Sequence, residues 1–207
     1  MPLVTISRMY GTGGSEVAEL VARALGWALF DNAVVDAVAE RSGLTRAEVT
    51  EREERVPTLV ERLATTLSLG TPESMPAIPE DPILLTEDRL VDITRRIIQE
   101  AVTQGPAVFV GRGAQCLLAS RHDAFHVYCY AARDQLVRYA VEKLGVESRR
   151  AEHHVVEMNK QREQYVKRHF GRDWRDITNY HLCVNTGVLG NETAAQLIVE
   201  SARHTLL

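Results

Sequence analysis

Four segments, LVTIS (3–7), AVFVG (107–111), FHVYCYA (125–131) and HLCVN (181–185), are apolar almost without interruption, and helical patterns separate them. A strand with one face in water alternates apolar and polar residues, whereas a strand covered on both faces need not. Near-continuous apolar strands separated by helices predict an α/β fold, with a mostly parallel sheet and helices on both faces. WALFD (27–31) is a short fifth strand candidate. The first helix is predicted over 14–25. NAVVDAVAERSG (32–43) is the next, with Asn32 and Gly43 placed as its caps. Thr45 and Glu48 form a capping box that opens a charged helix toward Leu69. GTPESMPAIPEDP (70–82) holds four of the seven prolines and is predicted as a loop. Thr86 is placed to cap the helix that follows, and further helices are expected at 133–144, 148–170 and 191–205. In such folds ligands bind at the carboxyl ends of strands, so Ser7 to Ser15, Asp31 and Gly111 to Ala114 are the informative positions.

Composition narrows the field. The 207 residues suit one domain, and the net charge of −4 supplies no global field to recruit nucleic acid, so any anion site must be local. No run of 18 apolar residues offers a membrane span, and the start of the chain carries no secretory pattern, which predicts a cytoplasmic protein. Cys116, Cys129 and Cys183 lie in apolar stretches without metal-ligand spacing and are expected as reduced core thiols.

The first strand runs into MYGTGGS and then a helix, the layout of a phosphate-binding loop. The pattern G-x-x-x-x-G-K-[ST] nevertheless fails. With Gly13 on its second glycine, Arg8 stands at the first, Gly14 stands where the lysine belongs, and Ser15 falls on the hydroxyl position. Gly11, Thr12, Gly13, Gly14 and Ser15 can still turn backbone N–H groups toward an anion at a helix N-terminus. Ser15 is the candidate hydroxyl for Mg²⁺. Arg8 is a candidate substitute for the missing ammonium, because a guanidinium keeps its charge and forks onto phosphate oxygens. The alternative is a tight turn with Arg8 on the surface.

Two further stretches favour the phosphate reading. AVFVGRGAQCLLA repeats strand, glycine turn and helix, with Arg112 between two glycines at a strand's carboxyl end. MNKQREQYVKRHFGRDW (158–174) gathers Lys160, Arg162, Lys167, Arg168 and Arg172 in an acidic chain. Arg162 and Tyr165 share a helical face. A lid that brings arginine to a transferring phosphoryl group stabilises charge and excludes water.

In order and spacing, TISRMYGTGG, LFDNAVV, VFVGRGA, MNKQREQYVKRHFGRDW and YHLCVNTGVLG resemble the cytidylate-kinase-like family over nearly the whole chain. The resemblance implies a P-loop NTPase-like, three-layer α/β/α fold of the nucleoside monophosphate kinase kind, with a five-stranded sheet. It implies a single domain, 1–207, with a helical monophosphate-binding insert near 32–85 and a lid near 158–175. It further implies phosphoryl transfer from Mg-ATP to CMP or dCMP, with small-molecule nucleotides as partners. Residues 11–15 would cradle the ATP phosphates, Asp31 and Arg112 would serve the acceptor, and Arg162 and Arg168 would be lid arginines; together with Arg8, read above from the loop itself, these two make up the candidate catalytic set. Asn185 and Thr186 match a D-T-T segment with Asn in place of Asp. The departures are the absent lysine and Val110-Gly111-Arg112-Gly113 where cytidylate kinases have Asp-Gly-Arg-Asp. A nucleotide-binding regulatory protein and a kinase for another small metabolite are the alternative readings. His153 and His154 are expected to be solvated, Trp27 and Trp174 to be packing anchors, and Asp123 and His126 to form no catalytic constellation.

Overall fold

The computed structural model describes residues 1–31, 45 and 87–206. The expected helices over 32–43 and toward Leu69, the loop at 70–82, the Thr86 cap and the insert near 32–85 therefore lie outside the described residues.

Five strands, β1 (Leu3–Arg8), β2 (Ala28–Phe30), β3 (Ala107–Val110), β4 (Ala124–Tyr130) and β5 (Leu182–Asn185), form one sheet in the order β2-β3-β1-β4-β5, and every pairing is parallel. The helices are α1 (Gly14–Leu25), α2 (Glu87–Ala101), α3 (Ala114–Leu117), α4 (Arg133–Glu142), α5 (Ser148–Phe170) and α6 (Thr186–Leu206). The period of two along each strand sorts its side chains between two cores. Val4 and Ile6 of β1, Val108 and Val110 of β3, and Val127 of β4 pack with α1 and α6. Leu3, Ala107 and Phe109 turn to the other face, against Ile98 and Ala101 of α2. Both faces are thus covered, which is why these strands read as apolar throughout.

Two boundaries and one side-chain environment differ from the sequence reading. The segment after β3 is helical only over Ala114–Leu117. The last helix begins at Thr186, five residues earlier than expected, because a short turn at the end of β5 joins it across a kink at Gly190 (φ 75°, ψ 163°). His154 is half-buried, with its ring edge-on to Tyr10 at 5.1 Å, whereas His153 is exposed as expected. Trp174 is buried edge-on against Tyr128, and its carbonyl accepts from the Tyr180 hydroxyl at 2.8 Å. Cys129 is buried, Cys116 and Cys183 are half-buried, and all three are free thiols. Among the described residues no helix is long and apolar enough to cross a membrane.

The topology sets the position of the site. After β1 the chain first builds the β3 side of the sheet and later returns to the β4 side, so a crevice opens at the carboxyl end of β1. The register Leu3↔Ala107 to Ile6↔Val110 places the glycine turns that follow β1 and β3 side by side. The Gly111 N–H donates to the Ile6 carbonyl at 3.1 Å.

Candidate functional site

The loop after β1 is shaped by its own hydroxyls. Thr12 is buried, and its Oγ1 donates to the Met9 carbonyl at 2.7 Å. The Thr12 carbonyl in turn accepts from Thr186 Oγ1 at 2.9 Å. The Thr12 side chain is therefore spent inside the loop, which leaves backbone amides and Ser15 as the groups for a ligand. Ser15 is exposed in the first turn of α1. Asn185, the residue before Thr186, accepts the Val188 N–H on its Oδ1 at 3.3 Å and so caps the start of α6.

Arg8 leaves the end of β1 and passes over Gly14. Its guanidinium comes to rest against Gly111 and pairs with Asp31 at 3.7 Å. Both side chains are largely buried, at 20% and 18% exposure, so solvent screens this pair less than a surface one. The Arg8 carbonyl accepts from Arg162 Nη1 at 2.8 Å, and the Arg162 guanidinium lies 5.6 Å from the centre of the Tyr10 ring. α5 is fastened to the loop a second time through buried Asn159, whose Oδ1 accepts the Tyr10 N–H at 2.7 Å.

Arg112 has φ 55° and stands between Gly111 at 69° and Gly113 at 67°. Three successive left-handed residues turn the chain sharply at the end of β3 and direct the middle side chain into the crevice. Burial lowers the Arg112 pKa to about 10, with Tyr165, Arg8 and Asp31 nearby, so the guanidinium keeps its charge at neutral pH. Burial raises Tyr165 to about 12, which keeps its hydroxyl protonated as a donor.

These groups converge. A cavity of about 90 Å³ is lined by Arg8, Arg112, Arg162, Gln115, Gln161 and Tyr165 together with the Gly111–Gly113 turn. A second cavity, about 210 Å³, opens on the other side of the loop, between α4 and the start of α6. Its wall includes Gly11, Thr12, Arg138, Tyr139, Glu142 and Asn191. There Glu16 Oε2 accepts from Asn191 Nδ2 at 2.7 Å and from the Tyr139 hydroxyl at 3.3 Å, which ties α1, α4 and α6 together. The glycine loop separates the two cavities, with Arg8, Arg112 and Arg162 on one side of it and Arg138, Glu142 and Lys143 on the other.

The structure thus brings Arg8, Asp31, Arg112 and Arg162 together beside residues 11–15. It does not bring Arg168 there. Six residues of helix turn about 120° away from Arg162, and Arg168 is exposed and outside the lining of either cavity. Sequence reading missed Asn159, Gln161, Asn191 and Tyr139. Asn159 leaves a trace, as a polar residue on the buried stripe of Ala151, Val155 and Val166. The others depend on contacts between distant elements.

An all-parallel sheet with a glycine loop opening α1 at the carboxyl end of its central strand defines a P-loop kinase type of fold. The model of the cytidylate kinase-like family matches residues 3–188, and the chain belongs to that family. Among solved structures, an uncharacterized protein from Eubacterium ventriosum superposes with a TM-score of 0.68 at 17% identity, covering 98% of this chain and 99% of the other. A shikimate kinase from Acinetobacter baumannii superposes with a TM-score of 0.57 at 15% identity, covering 100% and 96%. A deoxyadenosine kinase from M. mycoides gives 0.52 at 10% identity, covering 98% and 99%. At these identities the likeness is one of fold. No curated protein matches significantly.

Proposed function

We propose that the protein transfers the γ-phosphoryl group of Mg-ATP to a nucleoside monophosphate, CMP or dCMP. The observation that carries this reading is the meeting of three arginines, from the end of β1, the β3 turn and α5, in one cavity beside the glycine loop. Family membership supports phosphoryl transfer, and the deoxyadenosine kinase of the same fold holds dCMP as a product. In the proposed reaction an anionic oxygen of the acceptor phosphate attacks the γ-phosphorus. The bond from that phosphorus to the β,γ-bridging oxygen breaks, and ADP leaves with the electron pair. No proton has to be removed from the acceptor, so positioning and charge stabilisation suffice.

The loop amides of residues 11–15 and the α1 N-terminus would hold the donor phosphates. Arg112 and Tyr165 would donate to the acceptor phosphate, and Arg162 would close over the junction. Among the described residues no group of three His, Cys, Asp or Glu side chains gathers as a metal cage, which fits a cation that arrives on substrate phosphates. The Ser15 hydroxyl would hold Mg²⁺ there, and the cation would neutralise phosphate charge.

A phosphoryl-transfer screen of the purified protein tests the reading. With Mg-ATP as donor and nucleoside monophosphates, nucleosides, shikimate and gluconate as acceptors, CMP or dCMP should be the preferred acceptor. Turnover confined to a hydroxyl acceptor would replace this reading with kinase action on another metabolite. Nucleotide binding without turnover on any acceptor would replace it with a regulatory role.

A further inference from the structure

Gly14 stands where the lysine belongs, and its backbone is not the reason. It opens α1 with an ordinary helical conformation, in which alanine is favoured over glycine. The reason is space. A Cβ on Gly14 would lie 2.5 Å from Arg8 Cβ and 2.6 Å from Arg8 Cγ, the backbone-fixed root of that side chain, so no larger residue fits unless the end of β1 or the loop shifts and carries the arginine with it. The far end of the same side chain imposes a second exclusion, because a Cβ on Gly111 would overlap Arg8 Nη1. Arg8 is therefore threaded between two glycines, one in each turn, with its root over the donor loop and its head over the acceptor turn. Asp31 at 3.7 Å and the Arg162 hydrogen bond to its carbonyl hold it there.

Taking the G-R-G turn as the acceptor site, as proposed above, we infer that Arg8 and Gly14 form one device that moves the loop's cation from the donor phosphates to the acceptor side. Arg8 then acts on the acceptor phosphate and the phosphoryl group in transit. The donor triphosphate is held by backbone amides, with no cation from position 14. On this inference Arg8 substitutes for the missing ammonium from the acceptor side of the loop rather than at the donor phosphates. The missing lysine is thereby accounted for without a loss of catalysis, since the charge is present at a different point of the reaction path.

A double-mutant cycle tests the inference, with CMP and Mg-ATP affinities measured by calorimetry, kcat and both KM values by coupled assay, and melting temperature for each variant. Arg8→Gly, which removes the crowding Cβ as well as the charge, should weaken CMP roughly ten- to hundredfold and lower kcat, while Mg-ATP affinity changes less than about threefold. Gly14→Ala in the parent protein should displace Arg8, reproduce the CMP defect and lower the melting temperature. In the Arg8→Gly background the same alanine should add no CMP defect and should raise the melting temperature. Arg8→Lys should recover part of kcat. Equal losses of CMP and Mg-ATP, a loss confined to Mg-ATP, or additive effects of the two substitutions would overturn the inference. If the parent protein binds no CMP, the acceptor reading fails separately. The same cycle is then read with inorganic sulfate titrated into the Mg-ATP complex, where Arg8→Gly should still remove sulfate affinity. A parent protein that binds neither anion overturns both.

Discussion

Arg112 is, among the described residues, the non-glycine residue at positive φ, and that strain can be separated from its charge. Arg112→Ala removes the guanidinium and keeps the left-handed backbone, whereas Arg112→Gly removes both. A left-handed conformation costs an L-residue about 1–2 kcal/mol. Glycine gives back about 0.4–1 kcal/mol through the greater freedom of its unfolded chain. The glycine variant should therefore be about 0.5–1 kcal/mol more stable than the alanine variant, a rise of roughly 1–4 °C in Tm for a chain of this size. Both variants should lose about 1.5–3 kcal/mol of CMP binding, and Mg-ATP binding should change little. Arg112→Lys keeps the charge without the fork and should fall between. Because burial leaves the Arg112 pKa at about 10, CMP affinity between pH 5 and 8 should follow the second ionisation of the ligand phosphate, near pH 6. Denaturation curves and calorimetry on the four proteins read all of this. A glycine variant less stable than the alanine variant, or Mg-ATP affinity falling in step with CMP, would refute the reasoning.

Three further outcomes are expected. Gly13→Val adds a Cβ at φ 68° that would overlap the Asn191 side chain, and Mg-ATP affinity should collapse in calorimetry; unchanged affinity would make the loop a structural turn only. His126 is buried, with Nδ1 2.8 Å from Thr5 Oγ1; burial and the neighbouring His181 lower its pKa to about 4. The unfolded chain then binds the proton more readily, so stability should fall as pH drops from about 6.5 to about 4, by on the order of 3 kcal/mol, and His126→Gln should flatten that slope in urea titrations. Arg162→Ala should lower kcat far more than Arg168→Ala, since only the former reaches the cavity; equal losses would mean that Arg168 swings inward during turnover.

The sheet was legible because its strands are buried on both faces, so apolar runs and strands coincide. The two glycine turns were legible for a related reason: a strand that ends on glycine before a helix leaves few backbone courses. The direction of Arg8 was not. It depends on Gly111 being the neighbour of β1, and Gly111 is remote in sequence and adjacent only through the Ile6↔Val110 register. The same holds for Asn191 over Gly13, and for His154, whose partner Tyr10 belongs to the loop rather than to its own helix. The separation of Arg162 from Arg168 was legible in principle, as the angle between two positions on one helix. Charge density drew attention to the cluster as a whole and hid its two faces.

β1 is the middle strand of the sheet, yet it is made first. Its neighbours β3 and β4 begin at Ala107 and Ala124, so Leu3, Val4 and Ile6 have no sheet partner until more than a hundred further residues exist. At roughly 5–20 residues per second, synthesis keeps this apolar strand waiting about 5–20 s. Throughout that interval the native partners of both its hydrogen-bonding edges are missing. The same placement that gives the crevice its central wall thus makes LVTI the segment of the nascent chain most in need of shielding, and α1 the element on hand to shield it.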